Sequence, residues 1–389
     1  MNAPNRTAPR RGWLGCAIAA ALCLSAFPSA SCRRPVVAFS AAVKSDAASS
    51  TSTSDASSSP TAASLGLGKK STALDVLKTL NNASRLAPYV ASGGTAVITG
   101  GNSGIGVVSV STMAAAGMKV VLCSRSVEAG EKVVRGLPEW YRSNVRVQKL
   151  DLADLTSVQE AAEEILETEG QIDVLLNNAG VMAIPRREAT AQGFEVQFGT
   201  NHIGHHMLTR LLLPSVTRGG RIVTVASEAH RFGQLDFADL NYDDERRRRP
   251  YTPWGAYGQS KLANLLFASA LDDKLREQGE AKTDGTKSVS LHPGVVGTNL
   301  WRYSAPPVVG DLISGLMADK TVEQGAATNV FACLAESSML EGGEYLNDCV
   351  KAKPSEVGRD AGRKMQKKLW ETTEELIREA GYSLPDEIV

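Results

Sequence analysis

The chain has 389 residues, 43% of them hydrophobic, so a sizeable buried core is feasible. Lys plus Arg equals Asp plus Glu at 42 each, a balance that argues against nucleic acid or a strongly acidic partner. Cys123, Cys333 and Cys349, the cysteines outside the first segment, have no CxxC spacing and make neither a disulfide framework nor a zinc site.

Arg6, Arg10 and Arg11 precede an apolar stretch from Trp13 to Phe27, too short to span a bilayer, and small residues (Ser29, Ala30, Ser31) follow. From about Ser31 to Ser64, Ser, Thr and Ala dominate and acids are nearly absent, so this part cannot bury enough apolar surface to fold. A secretory-type signal followed by a transit-like segment resembles the bipartite presequence of algae with secondary plastids. Residues 1–70 are therefore expected to be a disordered plastid-targeting presequence.

Thr72 to Asn82 reads as a short amphipathic helix within a lead-in over 71–92. Ser92-Gly93-Gly94 is a break, and the domain proper is expected to run from 93 to 389. Strands are expected at Thr95–Thr99, Lys119–Cys123, Val145–Leu150, Ile172–Leu176, Arg221–Ala226 and Ser288–Leu291. Helices are expected after the first glycine turn to Ala116, over Val127–Arg135 and Ser157–Thr168, from Phe194 to Thr217, and from Trp254 or Ala256 to about Gln278. Lys364 to Ile377 is a further amphipathic helix; packing of Leu369, Trp370 and Ile377 on the domain is favoured over a calmodulin-type target. Alternating strands and helices predict an α/β fold, a single doubly wound parallel sheet with helices on both faces.

The first strand runs into Thr99-Gly100-Gly101-Asn102-Ser103-Gly104-Ile105-Gly106. Glycines at this spacing permit a tight turn and close approach of a diphosphate, and the following helix N-terminus faces the phosphates. This is the fingerprint of a Rossmann-type dinucleotide site. The second strand ends in Cys123-Ser124-Arg125-Ser126, with no acid to bind a ribose 2′-hydroxyl. Arg125 is placed to contact the 2′-phosphate of NADP(H), and Ser124 to add a hydrogen bond. Asp151 and Leu152 are expected beside the adenine, and Asn178, Ala179 and Gly180 at the carboxyl edge of the fourth strand.

Tyr257 and Lys261 are four apart in a helical segment and share one face. A nearby ammonium is expected to stabilise the phenolate and bring the phenol pKa towards the working range. Ser227 ends the fifth strand, where its hydroxyl can bond a substrate oxygen, and Asn201 lies in the long helix.

These motifs resemble those of the short-chain dehydrogenase/reductase family, from about Thr95 to Lys353. Pro293-Gly294, Val296 and Thr298 resemble the family segment that closes over the nicotinamide. The resemblance implies that Tyr257 is the general acid or base and that Ser227 polarises the carbonyl. It implies that Lys261 binds the nicotinamide ribose while lowering the Tyr257 pKa, and that Asn201 holds a water in a proton relay. Gly100, Asn102, Ser103, Gly104, Ile105 and Gly106 would hold the diphosphate, and no metal is implied.

Ser227-Glu-Ala-His-Arg-Phe232, Tyr257-Gly-Gln-Ser-Lys-Leu-Ala-Asn264, Leu291-His-Pro-Gly294 and Thr298-Asn-Leu-Trp301 resemble the retinol dehydrogenase-like branch. They are still more similar to the short-chain dehydrogenase group of the chloroplast inner-envelope import translocon. Protochlorophyllide reductase, with Tyr-Lys-Asp-Ser-Lys at its active site, is a weaker match. Phe232 to Pro253 is an insertion, and residues near 301–320 are expected to form a lid whose apolar character suits a hydrophobic carbonyl or alcohol. Arg246 to Arg249 is read as a solvated loop. Peripheral membrane association and a homo-oligomer are left open. The rival to an NADP(H)-linked oxidoreductase is an NADPH-sensing regulatory subunit of a plastid membrane complex.

Overall fold

The computed structural model describes residues 60–243, 250–277, 285–297 and 318–386. Helix α1 (Ala73–Asn82) starts from a reciprocal cap: the Thr72 hydroxyl accepts from the Asp75 N–H, and the Asp75 carboxylate accepts from the Thr72 N–H. Ala73, Val76, Leu77 and Leu80 then recur at helical spacing and are buried. Their face packs on a late helix, Val322–Leu334, so the lead-in is an integral part of the core. Residues 1–59 lie outside the described residues, but Ala62 and Leu67 are buried in that core, because two apolar side chains suffice to dock a short turn.

Strands β1 (Thr95–Thr99), β2 (Lys119–Ser124), β3 (Val145–Lys149), β4 (Ile172–Asn177), β5 (Val216–Val225), β6 (Lys287–His292), β7 (Tyr345–Asn347) and β8 (Val350–Lys351) form one sheet in the order β3-β2-β1-β4-β5-β6-β7-β8. All neighbours pair in parallel except β7 and β8, which form an antiparallel hairpin at the edge. The doubly wound parallel sheet expected from the sequence is thus present, and the edge hairpin is an addition whose three- and two-residue strands are too short to leave a period. β5 begins earlier than expected, at Val216, because the chain passes through Gly219-Gly220 and still pairs Val216 with Ile172.

Helices α2 (Gly104–Ala115), α3 (Val127–Gly136), α4 (Leu155–Glu169), α5 (Gly204–Leu212), α6 (Pro253–Glu277), α7 (Val322–Leu334) and α8 (Lys364–Glu379) cover the two faces. Alternate strand residues divide the core: Ala96, Ile98 and Leu122 join α1, α2 and α7 on one side. Val97, Val121 and Cys123 join α4, α5, α6 and α8 on the other. On α8, Leu369, Trp370 and Ile377 are buried, and Trp370 stacks on Phe267 at 5.7 Å between ring centres. The docked reading of this helix is therefore the right one.

The helix expected from Phe194 to Thr217 is interrupted. A short helical turn (Val196–Phe198) leads into a five-residue π-turn (Gly199–Ile203) and then α5, and Pro214 lies in the 3₁₀ turn after it. The buried Glu195 carboxylate starts this run by accepting the N–H groups of Gln197 and Phe198 at 3.0 and 2.7 Å. π-turns of this kind cluster at functional sites, and Asn201 sits at the centre of this one.

Candidate active site

The sheet order reverses between β1 and β4, the crevice where ligands bind in open α/β sheets. A cleft of about 750 Å³ opens there. It is lined by Gly100, Asn102, Ser103, Gly104, Ile105, Arg125, Asp151, Leu152, Asn178, Ala179, Gly180, Tyr257, Lys261, Pro293, Gly294 and Val296. The structure thus brings nearly all the expected cofactor residues to one cavity. Thr298 and residues 301–317 of the expected lid lie outside the described residues, as do Arg246 to Arg249.

The cradle fits a dinucleotide in shape. The first turn of α2 is not capped by a side chain, so its N-terminal amides face the cleft. Gly106 does not line the cavity; it is needed behind it. A Cβ there would lie 2.2 Å from the Gly100 carbonyl oxygen and 2.9 Å from Asn178 Nδ2. That close approach lets Asn178 Nδ2 donate to the Thr99 carbonyl at 2.8 Å. The Thr99 hydroxyl also accepts the backbone N–H of both Asn178 and Ala179, each at 2.9 Å.

At the far end of the cleft Arg125 is exposed and makes no ion pair among the described residues. Ser124 departs from expectation: its hydroxyl donates to the Ser126 carbonyl at 2.8 Å, which commits its proton locally. Asp151 shapes its own loop, with Oδ1 accepting from Ala153 N–H at 3.0 Å. Cys123 is an inert buried thiol, pushed up to about 12 by burial.

At the other end α6 presents Tyr257 and Lys261 one turn apart. Gly258 between them permits close approach of the turn after β5, since a Cβ would lie 2.9 Å from the Phe232 ring and 3.0 Å from the Ala229 carbonyl oxygen. This contact sets Ser227, whose Oγ accepts from Ala229 N–H at 3.2 Å, close enough to Tyr257 to pull its phenol pKa down. Lys261 Nζ donates to the Val225 carbonyl at 2.9 Å and lies 5.8 Å from the Tyr257 ring centre. Asn201 stands behind the cleft wall. Its Oδ1 accepts from Val181 N–H at 2.8 Å, and its Nδ2 donates to the Val181 carbonyl and to Ser260 Oγ, each at 2.9 Å. Its amide therefore clamps the chain after β4 to α6.

Burial displaces both Tyr257 and Lys261 from their ordinary values. Burial pushes the phenol up to about 12, and nearby Ser227 opposes this only in part. Burial also pulls the Lys261 ammonium down to about 7.

Some cleft residues were given no role from the sequence. Glu228 and His292 line the cleft from within branch motifs, and Met182, which lies in none, packs with Ala183, Ala229 and Tyr257. Only their place next to a motif residue could have marked them.

A family model described as short chain dehydrogenase matches residues 94–238. Retinol dehydrogenase 12 of Homo sapiens is 38% identical over 289 residues, 73% of this chain and 86% of that protein. The chloroplastic short-chain dehydrogenase TIC 32 A of Brassica napus is 34% identical over 80% of this chain and 94% of its own length. Polyprenol dehydrogenase of Mus musculus is 37% identical over 72% and 82%. The chloroplastic TIC 32 relative thus stands beside the retinol dehydrogenases at similar identity, not ahead of them. The chain belongs to the short-chain dehydrogenase/reductase family of NAD(P)(H)-dependent oxidoreductases, in its retinol dehydrogenase-like branch.

Proposed function

We propose that the protein is an NADP(H)-dependent reductase of hydrophobic, isoprenoid-type aldehydes or ketones. The observation that carries this reading is the single cleft that joins the dinucleotide cradle to Tyr257, Ser227 and Lys261. A bound dinucleotide would supply a hydride to the substrate carbonyl carbon. The Ser227 hydroxyl is placed to polarise the carbonyl oxygen, and Tyr257 Oη to give it a proton as the C=O bond is reduced. A phenol held protonated by burial suits that direction, because a developing alkoxide is the stronger base. Lys261 sits where it would hold the ribose and balance the phenolate left behind. Arg125, free of ion pairs among the described residues, supports the 2′-phosphate over the hydroxyl.

The substrate end of the cleft is apolar. Phe232 is 54% exposed and Trp254 41% exposed while both line the cavity beside Tyr257, and exposed aromatics at an opening mark a contact surface. Retinol and polyprenol, named for two relatives, share an isoprenoid alcohol. NADPH oxidation should therefore be seen with all-trans-retinal and long-chain isoprenoid aldehydes, and be at least about tenfold weaker with short polar aldehydes, as lost apolar burial requires. NADPH binding with no turnover of any aldehyde or ketone would instead support the sensor reading.

The leader composition and that relative support delivery to a plastid. Residues 1–70 fused to a fluorescent protein should carry it to plastids in an alga with secondary plastids; fluorescence confined to the cytosol would refute this.

A further inference from the structure

Three histidines stand close together around the π-turn: His202, His205 and His206. His202 and His206 pack among Phe267 and other rings on the side of α8. His205 points the other way, towards the sheet, and is 1% exposed. Burying an imidazole is unfavourable unless both ring nitrogens are bonded. Nδ1 lies 2.9 Å from the Asn201 carbonyl oxygen, and Nε2 lies 2.8 Å from the Thr99 hydroxyl.

These partners fix the ring's state. A carbonyl only accepts, so Nδ1 carries a proton. Burial, aided by the nearby Lys261, pulls the imidazole pKa down to about 4, so the ring is neutral at pH 7 and Nε2 is an acceptor. The Thr99 hydroxyl must therefore donate to it. That hydroxyl already accepts two N–H groups, from Asn178 and Ala179, and the Leu176 carbonyl at 3.4 Å is its poorer alternative target. With His205 in place the Thr99 oxygen accepts twice and donates once. Without it the proton has only the long contact, and the orientation that receives both amides loosens.

We propose that His205 is a positioning residue: its neutral imidazole ties the Asn178-Ala179 wall of the dinucleotide cleft, through Thr99, to the π-turn that carries Asn201. This rests on the reading of the cleft as a dinucleotide site. The device couples two halves of the site. One nitrogen sets the hydroxyl that orders the cofactor wall. The other holds the main chain of the residue that clamps Val181 to α6.

Two substitutions separate the two nitrogens. His205→Asn keeps a donor near Nδ1 for the Asn201 carbonyl and removes the acceptor for Thr99. His205→Gln offers an acceptor near Nε2 and removes the donor. His205→Asn is expected to raise the dissociation constants of NADPH and NADH alike by about fivefold, the effect of one buried hydrogen bond. His205→Gln should leave binding within about twofold and lower kcat instead. Adding Thr99→Val to His205→Asn should weaken binding no further than Thr99→Val alone, as for residues in one network. In the whole protein labelled with ¹⁵N-histidine, the ring signal that His205→Asn removes should report the Nδ1–H tautomer at pH 7.

An Nε2–H tautomer or a charged ring would overturn the proposal. So would equal losses in the two variants that follow thermal stability alone, or additive effects with Thr99→Val. If the wild type bound neither dinucleotide, the functional reading would fall and the proposal with it; a correct tautomer would then mark His205 as structural.

Discussion

Replacing Tyr257 by Phe is expected to lower kcat by about a thousandfold, within the range that a positioned acid supplies. The substitution removes one oxygen from a residue that is 5% exposed and whose hydroxyl faces the cleft beside Ser227. The ring remains to pack against Met182 and Ala229, so the fold should hold. The dissociation constant for NADPH, read by fluorescence titration, should change by no more than about twofold, since one neutral hydrogen bond is the most that binding could lose. Loss of kcat without loss of binding identifies an interaction made only in the transition state. Turnover that survives within about tenfold of wild type would place the proton elsewhere, contrary to the general-acid range assumed for Tyr257.

Arg125→Ala is expected to raise the KM for NADPH by about 10- to 100-fold and that for NADH by less than about twofold. The difference is that of charge-assisted hydrogen bonds to one phosphate. Arg125 is exposed, and salt screens such an interaction, so the discrimination should shrink as ionic strength rises. Equal effects on the two cofactors at low salt would show that Arg125 does not read the phosphate. Ser124 cannot substitute for it, because its proton already goes to the Ser126 carbonyl.

The places of most strands along the chain were legible because parallel strands buried on both faces leave continuous apolar runs, as in Val120-Val121-Leu122. The glycine turn, Ser227, Tyr257 and Lys261 were legible because their chemistry demands fixed residue types at fixed spacing. The short edge hairpin and the docking of residues 60–70 were not, since two or three residues carry no period. The interruption at Gly199 was hidden too, because a π-turn leaves the helical pattern of apolar residues nearly intact.

The sequence by itself determined the family, the alternation of elements and most of the polar residues that meet in one cleft. Tertiary structure alone decided the state of Tyr257 and Lys261. Spacing brings an ammonium and a phenol together, which suggests a lowered phenol pKa. Only the fold sets their burial, which no local spacing encodes and which pushes the Tyr257 phenol up to about 12 and pulls the Lys261 ammonium down to about 7.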